Sequence, residues 1–302
     1  MPVRPMLKAV TILVAAATSL TTAFSQSASA GSWTKYAATS PDYPEKVGFH
    51  VACTVVKASN DDPIVYPGQP GASHQHTFSA NSSLSAYSTP LSLLAASDNC
   101  KQQKDHSGYW LPTLFNNGIP LTPYVTRAYY RAGTSRGASV KPMPFGLKML
   151  AGNGMATAPQ SARVAGYQCR DVTGNTLPKQ NLPPQCPIGD FLEASVTFAN
   201  CWDGVHLDSA DHRSHMAYSD PTTNACPADH PVQVAKLTIA ERFPVDSARG
   251  TITLSSMNSP LTLHADFMDA WDQPTMNYLT KNCINASIAC EGVTDTRMPP
   301  VA

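Results

Sequence analysis

Charge is scarce in this chain. Lys, Arg, Asp and Glu make up 14% of its 302 residues, against roughly 25% in an average soluble domain. The 21 basic and 21 acidic residues cancel, so there is no net positive field of the kind that binds nucleic acid or an acidic membrane surface. Beyond residue 30 no apolar run reaches the ~18 residues needed to span a bilayer. No C-x-x-C pair occurs, which argues against a thiolate zinc site. Equally missing are a G-x-x-x-x-G-K-[ST] phosphate loop, an H-E-x-x-H zinc helix and a dinucleotide fingerprint after a strand. The commonest nucleotide-dependent and zinc-protease readings go with them. No internal repeat and no low-complexity linker divides the chain.

Ser, Thr, Asn, Pro and Gly fill the gap, with 26 prolines and 17 glycines, a composition that suits a loop-rich exported β protein. At the start, Arg4 and Lys8 flank the apolar run AVTILVAAATSLTTAF, and Ala28-Ser29-Ala30 supplies a small-x-small cleavage pattern. Residues 1–30 are therefore expected to be a signal peptide. Residues 31–302 are expected to form one soluble domain, extracellular or periplasmic, with no membrane insertion after cleavage. Gly31 would then come first, which leaves no N-terminal histidine for a copper brace.

Eight cysteines, all after the expected leader, point to the same compartment. An even count in an oxidising environment favours four disulfides, although eight cysteines permit 105 pairings. Local pairing is expected: Cys53 with Cys100, Cys169 with Cys186, Cys201 with Cys226, and Cys283 with Cys290.

Short runs rich in β-branched and aromatic residues recur between turn formers. Strands are expected over 49–56, 123–132, 144–150, 191–198, 232–243, 250–256 and 261–267. Only STPLSLLAAS (88–97) and PTMNYLTKNCINAS (274–287) read as helical, the second with Pro274 in its first turn. The pattern implies a mainly β fold, a single disulfide-stapled β-sandwich or jelly-roll-like domain with long loops and few short helices.

Four constellations carry candidate chemistry. In PGQPGASHQHTF (67–78), an extended backbone would put His74 and His76 on one face, where two imidazoles can share an ion or flank a substrate. In WDGVHLDSADHRSHMAY (202–218), His206, His212 and His215 keep company with Asp203, Asp208, Asp211, Arg213 and Tyr218. A helical turn over 211–215 would place His212 and His215 on one side, with the aspartates orienting imidazole N–H groups. The plainer alternative is a turn at Asp203-Gly204 and a cap at Asp211. In LHADFMDAWD (263–272), a strand places His264 and Asp266 on one face and Leu263, Ala265 and Phe267 on the other. Finally, in KDHSGYWLP (104–112), Tyr109 and Trp110 offer a stacking platform for a sugar ring, unless they are core aromatics.

These segments resemble the DUF1996 family, a domain of unknown function found in secreted fungal and bacterial proteins, sometimes beside carbohydrate-binding WSC modules. DPIVYPGQPGASHQHTF, YWLP, CWDGVHLDSADHRSHMAYSD, CPADHPV and LHADFMDAWD carry the resemblance, from about Asp62 to Cys283. It implies an exported domain whose signature segments hold His74, His76, His212, His215, His264 and Asp266, but it brings no established reaction. No WSC module is recognisable in this chain.

The leading expectation is an enzyme acting on an extracellular polysaccharide or cell-wall glycan. A hydrolase would draw its acid and base from Asp203, Asp208, Asp211 and Asp266. A lyase would use histidine and Tyr218 for proton transfer, with a metal or Arg213 facing the uronate carboxylate. Trp202, Tyr109, Trp110 and Arg213 would contact the substrate. The alternative is a non-catalytic metal- or glycan-binding wall protein with one divalent transition ion on His74, His76, His212, His215 and His264. Geometry discriminates between them, because three or more imidazole nitrogens around one point favour a metal centre.

Overall fold

A stretch that reads as one strand, FHVACTVV, is two strands in two different sheets. Gly48–Cys53 belongs to one sheet and Val55–Ser59 to the other, with Thr54 as the single residue of crossover. The Cys53–Cys100 disulfide ties down this corner, and the Thr54 N–H donates to Asn99 Oδ1 at 3.2 Å. The computed structural model describes residues 1, 47–101, 104–133, 139–287 and 289–290. The expected signal peptide lies outside the described residues.

The larger sheet has six strands in the order Ala289–Cys290, Gly48–Cys53, Val125–Arg131, Lys236–Pro244, Phe191–Thr197, Ala165–Arg170. All pairs are antiparallel except the short Ala289–Cys290 edge. A second, wholly antiparallel sheet runs Val55–Ser59, His76–Ala80, Gly108–Pro112, His264–Met268, Lys148–Gly152. The fold is mainly β, as composition and patterning imply.

The two sheets face each other across one apolar core. Val51, Ala128, Tyr130, Leu192, Val196, Leu237 and Ile239 from the first meet Tyr109, Leu111, Met149, Ala151, Ala265 and Phe267 from the second. Strand geometry sends alternate side chains to opposite faces, visible in the strict buried-to-half-buried alternation of Val125–Arg131 and Lys148–Gly152. Two polar contacts cross the core: Tyr109 and Tyr130 share a hydroxyl hydrogen bond at 2.6 Å, and Ser79 and Thr126 one at 2.7 Å. The Ser79–Thr126 bond satisfies two hydroxyls in an apolar interior, where an unmade bond costs roughly 1–3 kcal/mol per group, while Tyr109 also donates to Asp105 and Tyr130 also accepts from the Trp271 indole N–H.

Both helices fall where the sequence puts them. Pro90–Leu94 begins at a capping box in which Thr89 and Ser92 bond reciprocally, and Gln273–Leu279 begins at Asp272, whose carboxylate accepts from the Thr275 N–H. The latter runs on into one π turn, Thr280–Ile284, anchored by Cys283–Cys290. Cys169–Cys186 and Cys201–Cys226 complete the four expected disulfides, and no described cysteine is free. Four disulfides indicate an oxidising compartment. Among the described residues no helix is long and apolar enough to cross a membrane.

Candidate metal centre

The outer face of the second sheet carries the histidine cluster. His76 stands opposite Pro112, Phe78 opposite Trp110, and Trp110 opposite Asp266. His76, Phe78, Trp110, His264 and Asp266 therefore project from the same side, away from the shared core. There Phe78 and Trp110 join Ile64, Leu84, Leu93, Met268 and Ala270 in a separate small apolar cluster. His76 and His264 thus stand on flanking strands with only the Gly108–Pro112 strand between them. His74 enters from the preceding loop, held by Gln75, whose carbonyl accepts from the Thr113 N–H at 3.0 Å and from the Ser255 hydroxyl.

His74, His76 and His264 offer ligand atoms that all lie within 4.8 Å of one another. Their ring centroids are 4.2, 5.0 and 5.8 Å apart, and the Nε2 atoms of His74 and His264 are 3.2 Å apart. Two donors bound at ~2.05 Å to one tetrahedral ion would be about 3.3 Å apart, so the spacing suits a shared ion.

Tautomers are forced by the neighbours. The Nδ1–H of His76 donates to the Asp61 carbonyl at 3.0 Å, and that of His264 to the Thr262 carbonyl at 2.7 Å. A carbonyl can only accept, so in the neutral rings both Nε2 atoms keep a lone pair facing the cluster. Burial disfavours the charged forms. It holds His74 at about 4 and His264 at about 3, and pushes His76 well below the usual range with help from its two neighbours. Neutral imidazoles are the ligating form.

Two groups here lack a partner among the described residues. His76 Nε2 is fully buried without a hydrogen bond, and so are both oxygens of Asp266. They face each other at 3.9 Å, too far for a hydrogen bond. Burial, and then the nearby Asp62 carboxylate, push the Asp266 carboxyl well above its ordinary range, with Arg213 acting in the opposite sense. Orphaned buried polar atoms are rare in native folds and call for an explanation, and a cation between them supplies one. The other geometric cluster, Cys53, Cys100 and Asp105, cannot ligate because its cysteines form a disulfide.

Backbone packing closes around the histidines. Gly152 pairs with His264 at φ +76°, where a Cβ would lie 2.4 Å from the Leu263 carbonyl. A Cβ on Gly154 would sit 3.1 Å from His264 Cε1, so the backbone there lies flat on the ring. His74, half-buried, is the one exposed side of the cluster, next to the exposed loop 67–72.

The 202–218 segment does something else. Asp211–His215 is a turn with His212 at φ +56°, not the expected helical turn. It borders the edge strand Lys148–Gly152: the Lys148 N–H donates to the Leu207 carbonyl at 2.9 Å and the Leu150 N–H to that of His212 at 3.3 Å. His215, expected to converge with His74 and His76, instead spends both ring nitrogens on Ser209 Oγ at 2.8 Å and the Lys148 carbonyl at 2.7 Å. His212 bonds Asp208, which also pairs with Lys148, while lying close enough to Asp62 to influence it. Asp203 accepts the Val205 and His206 N–H groups and the His206 ring, and is held at about 2 chiefly by those bonds against the opposing effect of burial. Asp211 accepts from Arg213 N, Ser214 N and Ser209, which keeps its carboxyl far below the usual range. These three aspartates shape the loop.

Other candidates sort by exposure. Tyr109 and Trp110 are fully buried, so neither presents a ring to a sugar; the core-aromatic reading describes them, with Tyr109 donating to Asp105 at 2.6 Å. Trp202 packs on the core edge and donates to the His206 carbonyl. Tyr218 is exposed, donates to the Thr197 carbonyl at 3.0 Å, and is pushed up to about 12 by desolvation. With Arg213, His212, Leu150 and Met216 it lines a cavity of about 140 Å³. Residue-level reading overlooked Asp61 and Asp62. The carbonyl of the first orients His76, and the carboxylate of the second, capped by the Ile64 and Val65 N–H groups, faces the cluster electrostatically.

The fold and site define a disulfide-stapled, mainly β protein, two large sheets and two small three-stranded ones among the described residues, with a three-histidine cluster on the outer face of one large sheet. Within that class the chain belongs to the family described as Domain of unknown function (DUF1996), whose model matches residues 62–271. All of His74, His76, His264, Asp62, Arg213 and Asp266 lie inside the match. No curated protein and no solved structure matches the chain.

Proposed function

We propose that this is an exported protein built around one divalent transition-metal ion, held by the Nε2 atoms of His74, His76 and His264 with Asp266 beside them, and that the ion serves chemistry on an extracellular polysaccharide. The observation that carries the reading is the convergence of two fixed lone pairs with an unpartnered, fully buried carboxylate. Three imidazoles suit zinc, copper, iron or nickel better than magnesium or calcium. A bound ion of this kind supplies Lewis acidity, or a water deprotonated near neutral pH.

The exposed side at His74 favours an exchangeable fourth position, as catalytic sites keep. Asp266 favours the second reading, a closed and non-catalytic centre in a wall-associated protein, should its carboxylate fill that position. The polysaccharide assignment draws on the export expected from the leader, the four disulfides and the family's occurrence beside carbohydrate-binding modules. Elemental analysis of the purified exported form should give one transition ion per chain, lost in His76→Ala. A screen of cell-wall polysaccharides for new reducing ends or unsaturated products should show activity that chelation removes and the ion restores. Sub-stoichiometric metal refutes the centre; metal without any such product selects the non-catalytic reading.

A further inference from the structure

Four tyrosines are exposed among the described residues, and two of them are engaged: the Tyr124 ring lies against Phe191 with centroids 5.7 Å apart, and the Tyr218 hydroxyl donates to the Thr197 carbonyl. Tyr66 and Tyr87, 38% and 68% exposed, make neither kind of contact there. A lone exposed aromatic is ordinary on a protein surface. These two are brought together by the fold. The Gly68 N–H donates to the Ala86 carbonyl at 2.7 Å, which keeps the Cα atoms of Tyr66 and Tyr87 within about 15 Å of each other. Beneath them, Ile64 and Leu84 pack into the small apolar cluster on the outer face of the second sheet.

Both rings stand on backbone that is already fixed. Asn60 and Ser73 close the first loop with two bonds of 3.0 Å, and the Gly71 N–H donates to Asp61 Oδ1 at 3.3 Å. That loop ends at His74, the exposed member of the histidine cluster. On the other side, Ser88 Oγ accepts from the Ser85 N–H at 2.9 Å, and the Tyr87 N–H donates to Ser85 Oγ at 3.3 Å. Tyrosine has few rotatable bonds, so on such loops it offers a large contact at little entropic cost.

The stretch that carries both rings has no charge. From Pro63 to Ser97 there is no Lys, Arg, Asp or Glu, whereas at the chain's own 14% a run this long would hold about five. Its exposed polar groups are amides and hydroxyls, among them Gln69, Ser82, Ser83, Thr89 and Ser92. At its margins Asp61 pairs with Lys57, and Asp98 accepts from the Cys100 N–H. An anionic polymer would find no cation on this stretch, and a protein partner chosen by charge would find nothing to pair with. A neutral sugar chain fits it, since its C–H faces pack on aromatic rings and its hydroxyls bond to amides and hydroxyls at the edges.

We infer that Tyr66 and Tyr87 form a binding platform for a neutral polysaccharide. The inference rests on the polysaccharide part of the function proposed above and not on the metal ion. It moves the sugar contact from the buried Tyr109 and Trp110 to two rings that solvent reaches.

The test is calorimetry on the exported full chain with cellohexaose, laminarihexaose, chitohexaose and, as the acidic probe, a galacturonate hexamer. At least one neutral hexamer should bind more tightly than the acidic one, with an affinity that salt leaves unchanged. Tyr66→Ala and Tyr87→Ala should each weaken it about tenfold while urea unfolding and metal content stay as in the wild type. Tyr87→Trp, which keeps an aromatic face, should retain binding, and so should wild type stripped of metal by chelation. Undiminished neutral-hexamer binding in both alanine variants overturns the platform alone. Preference for the galacturonate hexamer overturns the neutral assignment, and loss of binding on chelation puts the sugar on the ion instead. Binding of none of the four overturns the platform, and if the polysaccharide screen also yields no product, the polysaccharide reading falls with it. Self-association of the wild type in sedimentation, abolished in Tyr87→Ala, would make the patch a contact between copies of the chain and overturn the inference.

Discussion

Glu241 provides a test of the fold's electrostatics that is independent of the metal site. It lies on Lys236–Pro244 between Thr126 and Ala194 and alternates with Leu237, Ile239 and Phe243, so its side chain points into the core between the sheets. It is fully buried, and neither oxygen has a partner among the described residues. Desolvation alone pushes its carboxyl from 4.5 up to about 8. The native state therefore keeps a proton that the unfolded chain releases above pH 4.5, and stability falls as pH rises through that window, levelling off above about pH 8. At 1.36 kcal/mol per unit, the loss reaches about 3 kcal/mol by pH 7. Glu241→Gln keeps the volume and removes the titration. Urea unfolding with disulfides intact, at several values from about pH 4.5 to 8, should show the variant gaining on the wild type by about 3 kcal/mol over the first 2.5 units. Burying the amide adds an offset of roughly 1–3 kcal/mol, but that offset does not change with pH. A difference between the two proteins that stays constant across the range refutes the reasoning.

The core was largely legible because strands with one face on a core advertise themselves by period and β-branched content, as in VTRAYYR and FLEASVT. His76–Ala80 was visible only conditionally and Gly108–Pro112 was missed, because buried polar and aromatic residues on both of their faces hide any alternation. The break at Thr54 was invisible for a different reason. A strand that leaves one sheet and enters another carries the same apolar pattern through the corner. Half of the candidate site could be read from face arithmetic: a step of two residues from His74 to His76 and from His264 to Asp266. The density of polar groups in 202–218 misled, since Asp203, Asp208 and Asp211 satisfy turn N–H groups and ion pairs, work that needs many short polar side chains and no catalytic geometry. Asp62 went unnoticed because Asp-Asp-Pro at 61–63 reads as turn chemistry; only the fold puts its carboxylate near Asp266.

Two further predictions separate scaffold from site. Replacing Cys169 and Cys186 by alanine opens a bridge of sequence separation 17 on the edge strand of the six-stranded sheet; it should cost about 3 kcal/mol in urea unfolding and leave metal content unchanged, and a loss of metal would contradict the separation of site and staple. The other contrasts two histidines that look alike in sequence. His215 is buried and both its nitrogens are occupied, one holding Ser209 and the other the Lys148 carbonyl that the edge strand would otherwise leave unpaired. His76 is equally buried, yet its Nε2 holds nothing. His215→Ala should therefore lower stability by roughly 1–3 kcal/mol, loosen the 207–215 border on the edge strand, and retain the ion. His76→Ala removes a group whose inward nitrogen makes no structural bond, so its defect should appear first in metal stoichiometry. Measured side by side by elemental analysis and urea unfolding, the two variants should show opposite profiles. Loss of metal in His215→Ala with full retention in His76→Ala would mean that the ion sits with the 202–218 loop and not on the outer face of the sheet.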